Sequence, residues 1–563
     1  LPVRERRGAP RAGDPHLLRA EPGTVGEPAR GADSPGAQGD GALPQGTPET
    51  RGRGQRRARG ARGPARAQAL SEAFSASEGR YRALVDFLGD TESADLTHAE
   101  LEQRLRTDGF ELLRQLYQDH LDLRAELEQR LEEVTGSDGL PRRYAEADHE
   151  RTLVTIFGGV RVRRLAYRYK GTANLCPADA ALNLPTETYS HGLRAIAATE
   201  AARGSFDEAV AAIDRASAVT VPKRQVEELA QAAAVDFEAF FAGAKRPEPD
   251  DDEVVVLSAD GKGVVMRPEG LRAPTRAKAQ ASLNKLKGRL SKGEKPNRKR
   301  MAEVGAVYGV TPVARSADDV MAHRATGPPK EAPRANHKWV TASVVDDAAS
   351  VIARVFDEAE RRDPDHAHPW VALVDGNNHQ IDRIEAEAVA RGIEVTVLVD
   401  FIHAIEYLWK AVWCFFAEGD PAAEDWVHDK AMEVLSGRAR IVAAAVRRKA
   451  TTWGLAESAR KNADTCADYL LAKAPYLDYP TALSKGWPIA TGVIEGSCRY
   501  VVKDRMDITG ARWGLDGAEA VLKLRALRAN DCWDDYWSFH LAQERKRVHV
   551  SRYLDGVLPA TAA

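Results

Sequence analysis

Three acids in this sequence stand where a carboxylate can do more than solvate a turn. Asp260 follows the apolar run "VVVLSA", Asp375 follows "WVALV", and Glu495 sits in "GVIEGSCRY" between two glycines. Residues at the ends of neighbouring strands lie side by side, however far apart they are along the chain. A helix crossing that edge can add a third acid. Carboxylates gathered in this way repel one another unless cations neutralise them, and hard oxygen donors with open positions suit Mg²⁺ or Mn²⁺. Two such ions about 4 Å apart activate a water or a 3′-hydroxyl and stabilise the leaving oxygen of a phosphodiester displacement. A single Asp-Gly is ordinarily just a strand-end turn. The matched placement of three acids is what points to chemistry.

A second pair lies in "LVDFIHAIEYLW", where Asp400 and His403 are three residues apart at the start of a helix. At that spacing both side chains share one helix face, where they could approach a scissile phosphate or orient a metal-bound water. A helix-capping Asp beside a packed His is the plainer alternative.

The elements that must position these residues form an α/β pattern from residue 253 onward. "EVVVLSADGKGVVM" reads as a buried strand, a turn at Gly261 and a second strand, and "AEVGAVYGV" as a third. "WVALVDG" and "IEVTVLVDF" are two further buried strands, with the helix "QIDRIEAEAVARG" between them. Residues 404–475 read as almost entirely helical and separate the last strand from Glu495. "LDGAEAVLKLRALRAND" is a closing helix.

Upstream, residues 1–68 are dominated by Gly, Pro, Ala and Arg. That composition buries too little apolar surface to offset chain entropy and predicts a disordered tail. Its last stretch, "RGRGQRRARGARGPAR", carries seven arginines and no acid. Residues 70–140 form an amphipathic helical region, with a break expected near Asp108-Gly109. "RTLVTIFGGVRVRRLAYRYK" alternates about Gly158-Gly159 as a β-hairpin. "SFDEAVAAIDRAS" and "VPKRQVEELAQAAAVDFEAFFAG" then resemble a helix–turn–helix, with Pro222 at the first helical position. Lys223, Arg224 and Gln225 at the start of its second helix have the polar donors a major groove requires.

The formal net charge is −3, so the chain is not uniformly basic, but its cations are clustered. Residues 271–300 hold eleven Lys or Arg and a single acid, Glu294. DNA phosphates would relieve the self-repulsion of such a segment. Lys285, Lys287, Arg289, Lys292, Arg298, Lys299 and Arg300 are therefore candidate DNA contacts. So are Arg499, Lys503, Arg505 and Arg512 beyond Glu495, while Trp513 could stack on an unpaired base. A flexible charged loop, or packing of these side chains within the protein, are the bland readings. Five scattered cysteines with no CxxC pair predict a reducing, cytoplasmic setting. No apolar run approaches the roughly 20 residues of a membrane span.

"VVVLSADGKGVVM", "WVALVDGNNHQ", "ALNLPTETYSHGLRAIAATEAARGSFDEAV" and "GVIEGSCRYVVKDRMDITGARWGLDGAEAVLKLRALRAN" closely resemble the ISKra group of bacterial insertion-sequence transposases. The resemblance runs from about Arg151 to His540. It implies a DDE transposase with an RNase H-like catalytic domain, in which Asp260, Asp375 and Glu495 match the catalytic, metal-binding triad. It also implies two Mg²⁺ or Mn²⁺ ions and double-stranded DNA partners, namely the element's terminal inverted repeats and a target. A homo-oligomer on paired ends is part of the same expectation. Asp400 and His403 match a motif that Mutator-like transposases carry between the second Asp and the Glu.

The expected architecture is thus multidomain α/β plus α. A tail (1–68) and helical region (70–140) precede a hairpin and helix–turn–helix-like DNA-binding region (150–245). The catalytic core (250–403, then 486–545) is interrupted by a helical insertion at 404–485. A stand-alone nuclease of the same fold and a non-catalytic DNA-binding protein are the alternatives.

Overall fold

The computed structural model describes residues 72–559, apart from 283–285, 287, 292–293, 295–296, 322–329 and 509. The tail at 1–68 lies outside the described residues, as do Lys285, Lys287 and Lys292.

Helix α1 (Ser75–Gly89) packs on α2 (His98–Leu127), where the buried Asp119 side chain accepts from the Ser77 N–H at 3.0 Å. Thr97 and Glu100 close a capping box at the start of α2. The break expected at Asp108-Gly109 is absent, and α2 is one helix of 30 residues. A single glycine costs only about 1 kcal/mol relative to alanine, which the helix formers on either side absorb.

The hairpin forms as read, from β1 (Tyr144–Thr155) and β2 (Gly158–Arg168). Its loop is Ile156-Phe157, and Gly158 at φ 128° opens the returning strand. The hairpin docks on α2 through Gln118, whose amide bonds both the N–H and the carbonyl of Arg161, at 2.8 and 3.0 Å.

Helices α3 (His191–Arg203), α4 (Phe206–Ala216) and α5 (Lys223–Ala233) follow. Leu193, Ala197, Ile213, Val226 and Leu229 close a shared apolar core between them. Pro222 is the N-cap of α5 rather than its first helical residue.

The centre of the protein is a mixed five-stranded sheet. It is built from β3 (Val254–Val265), β4 (Lys299–Val310), β5 (Ala335–Ser343), β6 (Trp370–Val374) and β7 (Val395–Val399). The order is β5-β4-β3-β6-β7, with β3, β4 and β5 antiparallel and β3, β6 and β7 parallel. Helix α6 (Ala348–Arg362) leads into β6, and α7 (Asn378–Arg391) joins β6 to β7. All five residues of β6 are buried, as a central parallel strand requires.

The strand assignment is corrected in two places. There is no turn at Gly261: β3 is one strand of 12 residues, paired with β4 along its whole length from Val254↔Val310 to Val265↔Lys299. Gly261 lies within the ladder, where a Cβ would fall 2.9 Å from the Met301 methyl. The basic segment consequently joins β3 to β4, and the third antiparallel strand is β5, which the sequence reading passed over.

After β7 the chain is helical: α8 (Phe401–Val412), α9 (Pro421–Leu435), α10 (Ala439–Thr452) and α11 (Glu457–Lys473). Their buried faces, including Val427, Val442 and Leu470, continue the apolar core of the sheet. The chain then returns through α12 (Gly492–Ser497), which runs into a π-helical turn at Cys498–Lys503. Helices α13 (Leu515–Ala529) and α14 (Trp533–Glu544) complete the fold.

Helix α14 reaches back to the first half of the chain. Arg194 of α3, almost fully buried, pairs with Glu187 and with Glu544 at 3.0 Å. His540 binds Asp236 at 2.7 Å, and Arg547 spans Asp236 and Glu544, both at 2.9 Å. Among the described residues no helix is long and apolar enough to cross a membrane.

Candidate active site

Sheet order explains how two of the acids meet. The parallel ladder of β3 and β6 ends at Ser258↔Leu373, and extending that register by two places sets Asp260 beside Asp375. Asp260 is therefore not at the end of its strand. It lies where β3 outruns its parallel neighbour while still paired to Val304 of β4. Asp375 directly follows the last residue of β6.

Helix α12 supplies the third acid. Asp260, Asp375, His403, Glu495 and Cys498 line one open cleft of about 310 Å³, together with the cations Lys262, Arg499 and Lys503. Asp260 Oδ1 accepts from the Gly261 N–H at 2.6 Å, and its Oδ2 from the Cys498 thiol at 3.2 Å. Asp375 Oδ1 accepts from the Asn377 N–H at 2.8 Å. Glu495 is half exposed, with Thr491 Oγ1 3.4 Å from its Oε1.

Asp400 and His403 divide their roles. Asp400 is the N-cap of α8 and is buried, with Oδ1 accepting from the Ile402 N–H at 2.7 Å. Its Oδ2 accepts from the Thr491 N–H at 3.0 Å and from the Thr491 hydroxyl. Burial alone would raise its pKa, but these hydrogen bonds and His403 outweigh it and leave the carboxyl below its ordinary value. Both Asp400 oxygens are engaged, and the residue does not itself line the cleft. His403 faces the cleft, its Nδ1 3.6 Å from Asp400 Oδ2 and 4.0 Å from Glu495 Oε1. The Asp400 carboxylate is the main reason His403 is held above its ordinary pKa, with Asp375 adding to it.

One donor atom from each of Asp400, His403 and Glu495 falls within 4.8 Å of the others. A hard cation in the cleft would draw on the acids that line it, Asp260, Asp375 and Glu495, whose oxygen chemistry fits Mg²⁺ or Mn²⁺.

The remaining candidates separate by environment. Arg499 and Lys503 are exposed on the cleft wall, as are Arg289 and Lys299 on the segment between β3 and β4. Arg298 is partly buried there. Lys223 pairs with Asp207 at 2.7 Å, and Arg224 and Gln225 both bind Glu228, away from the cleft.

Three candidates are corrected. Trp513 is buried against Phe206, donates its indole N–H to the Met506 carbonyl at 3.0 Å, and has no face free for a base. Arg505 is buried and does not line the cleft, with Nε bonded to the Ala201 carbonyl. Arg300 spends its guanidinium on the carbonyls of Val344, Gly270 and Val345.

The sequence reading missed Thr491, Cys498 and Lys262 as cleft residues. Cys498 was legible, standing three residues after Glu495 on the same helical stretch. Glu303 was also missed; it lies opposite Gly261 in the β3–β4 ladder, and burial raises its pKa, with Asp260 adding to the effect. No family model matches the chain, and no curated protein matches it.

Proposed function

We propose that this protein is a DDE transposase that binds the terminal inverted repeats of its element and performs metal-dependent DNA cleavage and strand transfer. The observation that carries the reading is the convergence of Asp260, Asp375 and Glu495, distant in sequence, on one cleft that three cations also line. The sheet order β5-β4-β3-β6-β7, in which β4 alone runs against the other four strands, is compatible with an RNase H-like core and supports the reading. The helical block from α8 to α11 lies in sequence between Asp375 and Glu495 and, in this reading, is the family's insertion.

In this reading Asp260, Asp375 and Glu495 hold two Mg²⁺ or Mn²⁺ ions. Such ions, when bound, activate the attacking oxygen and stabilise the leaving one. Lys262, Arg499 and Lys503 hold the DNA backbone over the acids, and their attraction weakens with salt. Asp400 and Thr491 fix the return of α12, so that Glu495 faces Asp375. His403, whose pKa the Asp400 carboxylate raises, faces the same cleft.

The test uses labelled element ends and target DNA with purified Asp260→Asn, Asp375→Asn and Glu495→Gln proteins. Each is expected to lose Mg²⁺-dependent cleavage while still shifting the end DNA in a gel. Full cleavage by the Asp375→Asn protein would overturn the assignment. Strand-transfer products from the wild type distinguish a transposase from a nuclease that only cuts.

A further inference from the structure

A second pocket, also about 310 Å³, opens between the starts of α4 and α5, the end of β3 and the loop before α13. Its wall carries Lys223, Arg267, Arg505 and Arg512 against two carboxylates, Asp207 and Glu227. Asp207 is already paired with Lys223 at 2.7 Å.

Arg505 is the floor of this pocket and only 2% exposed. Its guanidinium packs against both rings of a tilted aromatic pair, 4.6 Å from the Trp513 centroid and 5.2 Å from that of Phe206. Nε donates to the Ala201 carbonyl at 2.8 Å, but Nη2 is buried with no hydrogen-bond partner. The nearby Glu208 is committed to the capping box of α4 with Ser205. Burial and the neighbouring Arg525 pull the pKa down to about 10, which still leaves the group charged at neutral pH. A buried cation with an open donor, held rigid by two rings and seconded by further arginines, is built for an oxyanion.

We propose that this pocket binds a single phosphate group and that, on the functional reading above, the group belongs to the backbone of bound DNA. Glu495, Arg499 and Lys503 face the cleft while Arg505, on the same helical stretch, faces the pocket. One phosphate held at Arg505 therefore fixes the register of DNA relative to the acids. It also joins the helix pair α4–α5 to the catalytic side of the molecule.

The experiment titrates the full chain with inorganic phosphate by calorimetry, and with an end duplex across a salt series. The variants are the double Arg267→Gln/Arg512→Gln, at exposed positions, and Arg505→Met. Lys262→Gln/Arg499→Gln is the charge-matched control from the cleft. The wild type and the cleft control are expected to bind phosphate alike, and the pocket double variant at least tenfold more weakly. The double variant should also flatten the salt dependence of duplex binding by about one phosphate contact or more. Arg505→Met should match it, and the double variant decides the matter if Arg505→Met does not fold. Phosphate binding lost without any change in duplex binding would overturn the DNA assignment. No phosphate binding by the wild type would overturn the pocket itself. A wild type that binds phosphate but no end duplex would instead fail the functional reading.

Discussion

Thr491 donates both its backbone N–H and its hydroxyl to one carboxylate oxygen, Oδ2 of Asp400, across 91 residues of chain. The Phe401 N–H reaches the Ile489 carbonyl at 2.9 Å beside it. The helical block thus leaves and re-enters the sheet at one stitched point, and Glu495 lies one turn beyond the stitch. Replacing Thr491 by Val removes the hydroxyl and should cost about 2 kcal/mol, the usual worth of a hydrogen bond to a charged group. Thr491→Ser should retain most of it. Urea denaturation of the two variants measures the difference, and the cleavage rate should fall with the Val variant.

The Asp400–His403 pair gives stability a dependence on pH. His403 is raised above 6.5, so its contribution is fully present below that value and is lost as pH rises through the higher folded value. Asp400 is lowered from 3.8, so its contribution is present above that value and is lost as pH falls through the lower folded value. A His403→Gln protein should show a flatter stability curve above pH 6.5 and a smaller acid limb, because His403 also helps to hold Asp400 down. Thermal melts over a pH series read both limbs.

Cys498 touches Asp260 yet is buried, and burial together with the Asp260 charge pushes its thiol well up. A neutral, enclosed thiol is a poor nucleophile. In native protein at neutral pH, Cys498 should resist iodoacetamide, while the denatured chain reacts at all five cysteines. Peptide mapping by mass spectrometry checks this. Cys498→Ala should leave the fold intact and slow cleavage only several-fold, since one weak donor to Asp260 is lost.

Gly305 of β4 lies under α6, where a Cβ would come 2.5 Å from Val355 Cγ2. Gly305→Ala should destabilise the protein by about 1–3 kcal/mol through overpacking. Truncating Val355 to Ala in the same chain should recover part of that loss, measured as a shift in the melting midpoint.

Much of this was legible in the sequence, and the exceptions have physical reasons. Long apolar runs gave β6, buried throughout, and β7, buried at its last two residues; neither needs alternation to be seen. Asp-Gly-Lys-Gly in the middle of β3 carries turn composition, yet pairing with β4 along its full length overrides that local preference. The strand β5 hides in "ANHKWVTAS", whose polar first half masks its buried second half. At the site, the three acids and His403 were visible from their placement after apolar runs. Thr491 was not, because a hydroxyl that tethers a distant carboxylate carries no spacing signal. Arg505 and Trp513 were read as DNA contacts by type alone; burial is settled by α3 and α4, hundreds of residues upstream.

The buried cluster of Arg194, Glu187, Asp236, His540, Glu544 and Arg547 ties the first helices of the protein to its last ones. Until residues 540–547 have left the ribosome, Arg194 lacks its Glu544 partner and Asp236 its His540 and Arg547 partners. The regions flanking the sheet therefore lock together only after residues 540–547 have emerged. A nascent chain stalled within the helical block would carry Asp260 and Asp375 but neither Glu495 nor this latch, so on the proposed function it would lack the complete set of acids needed to attack DNA.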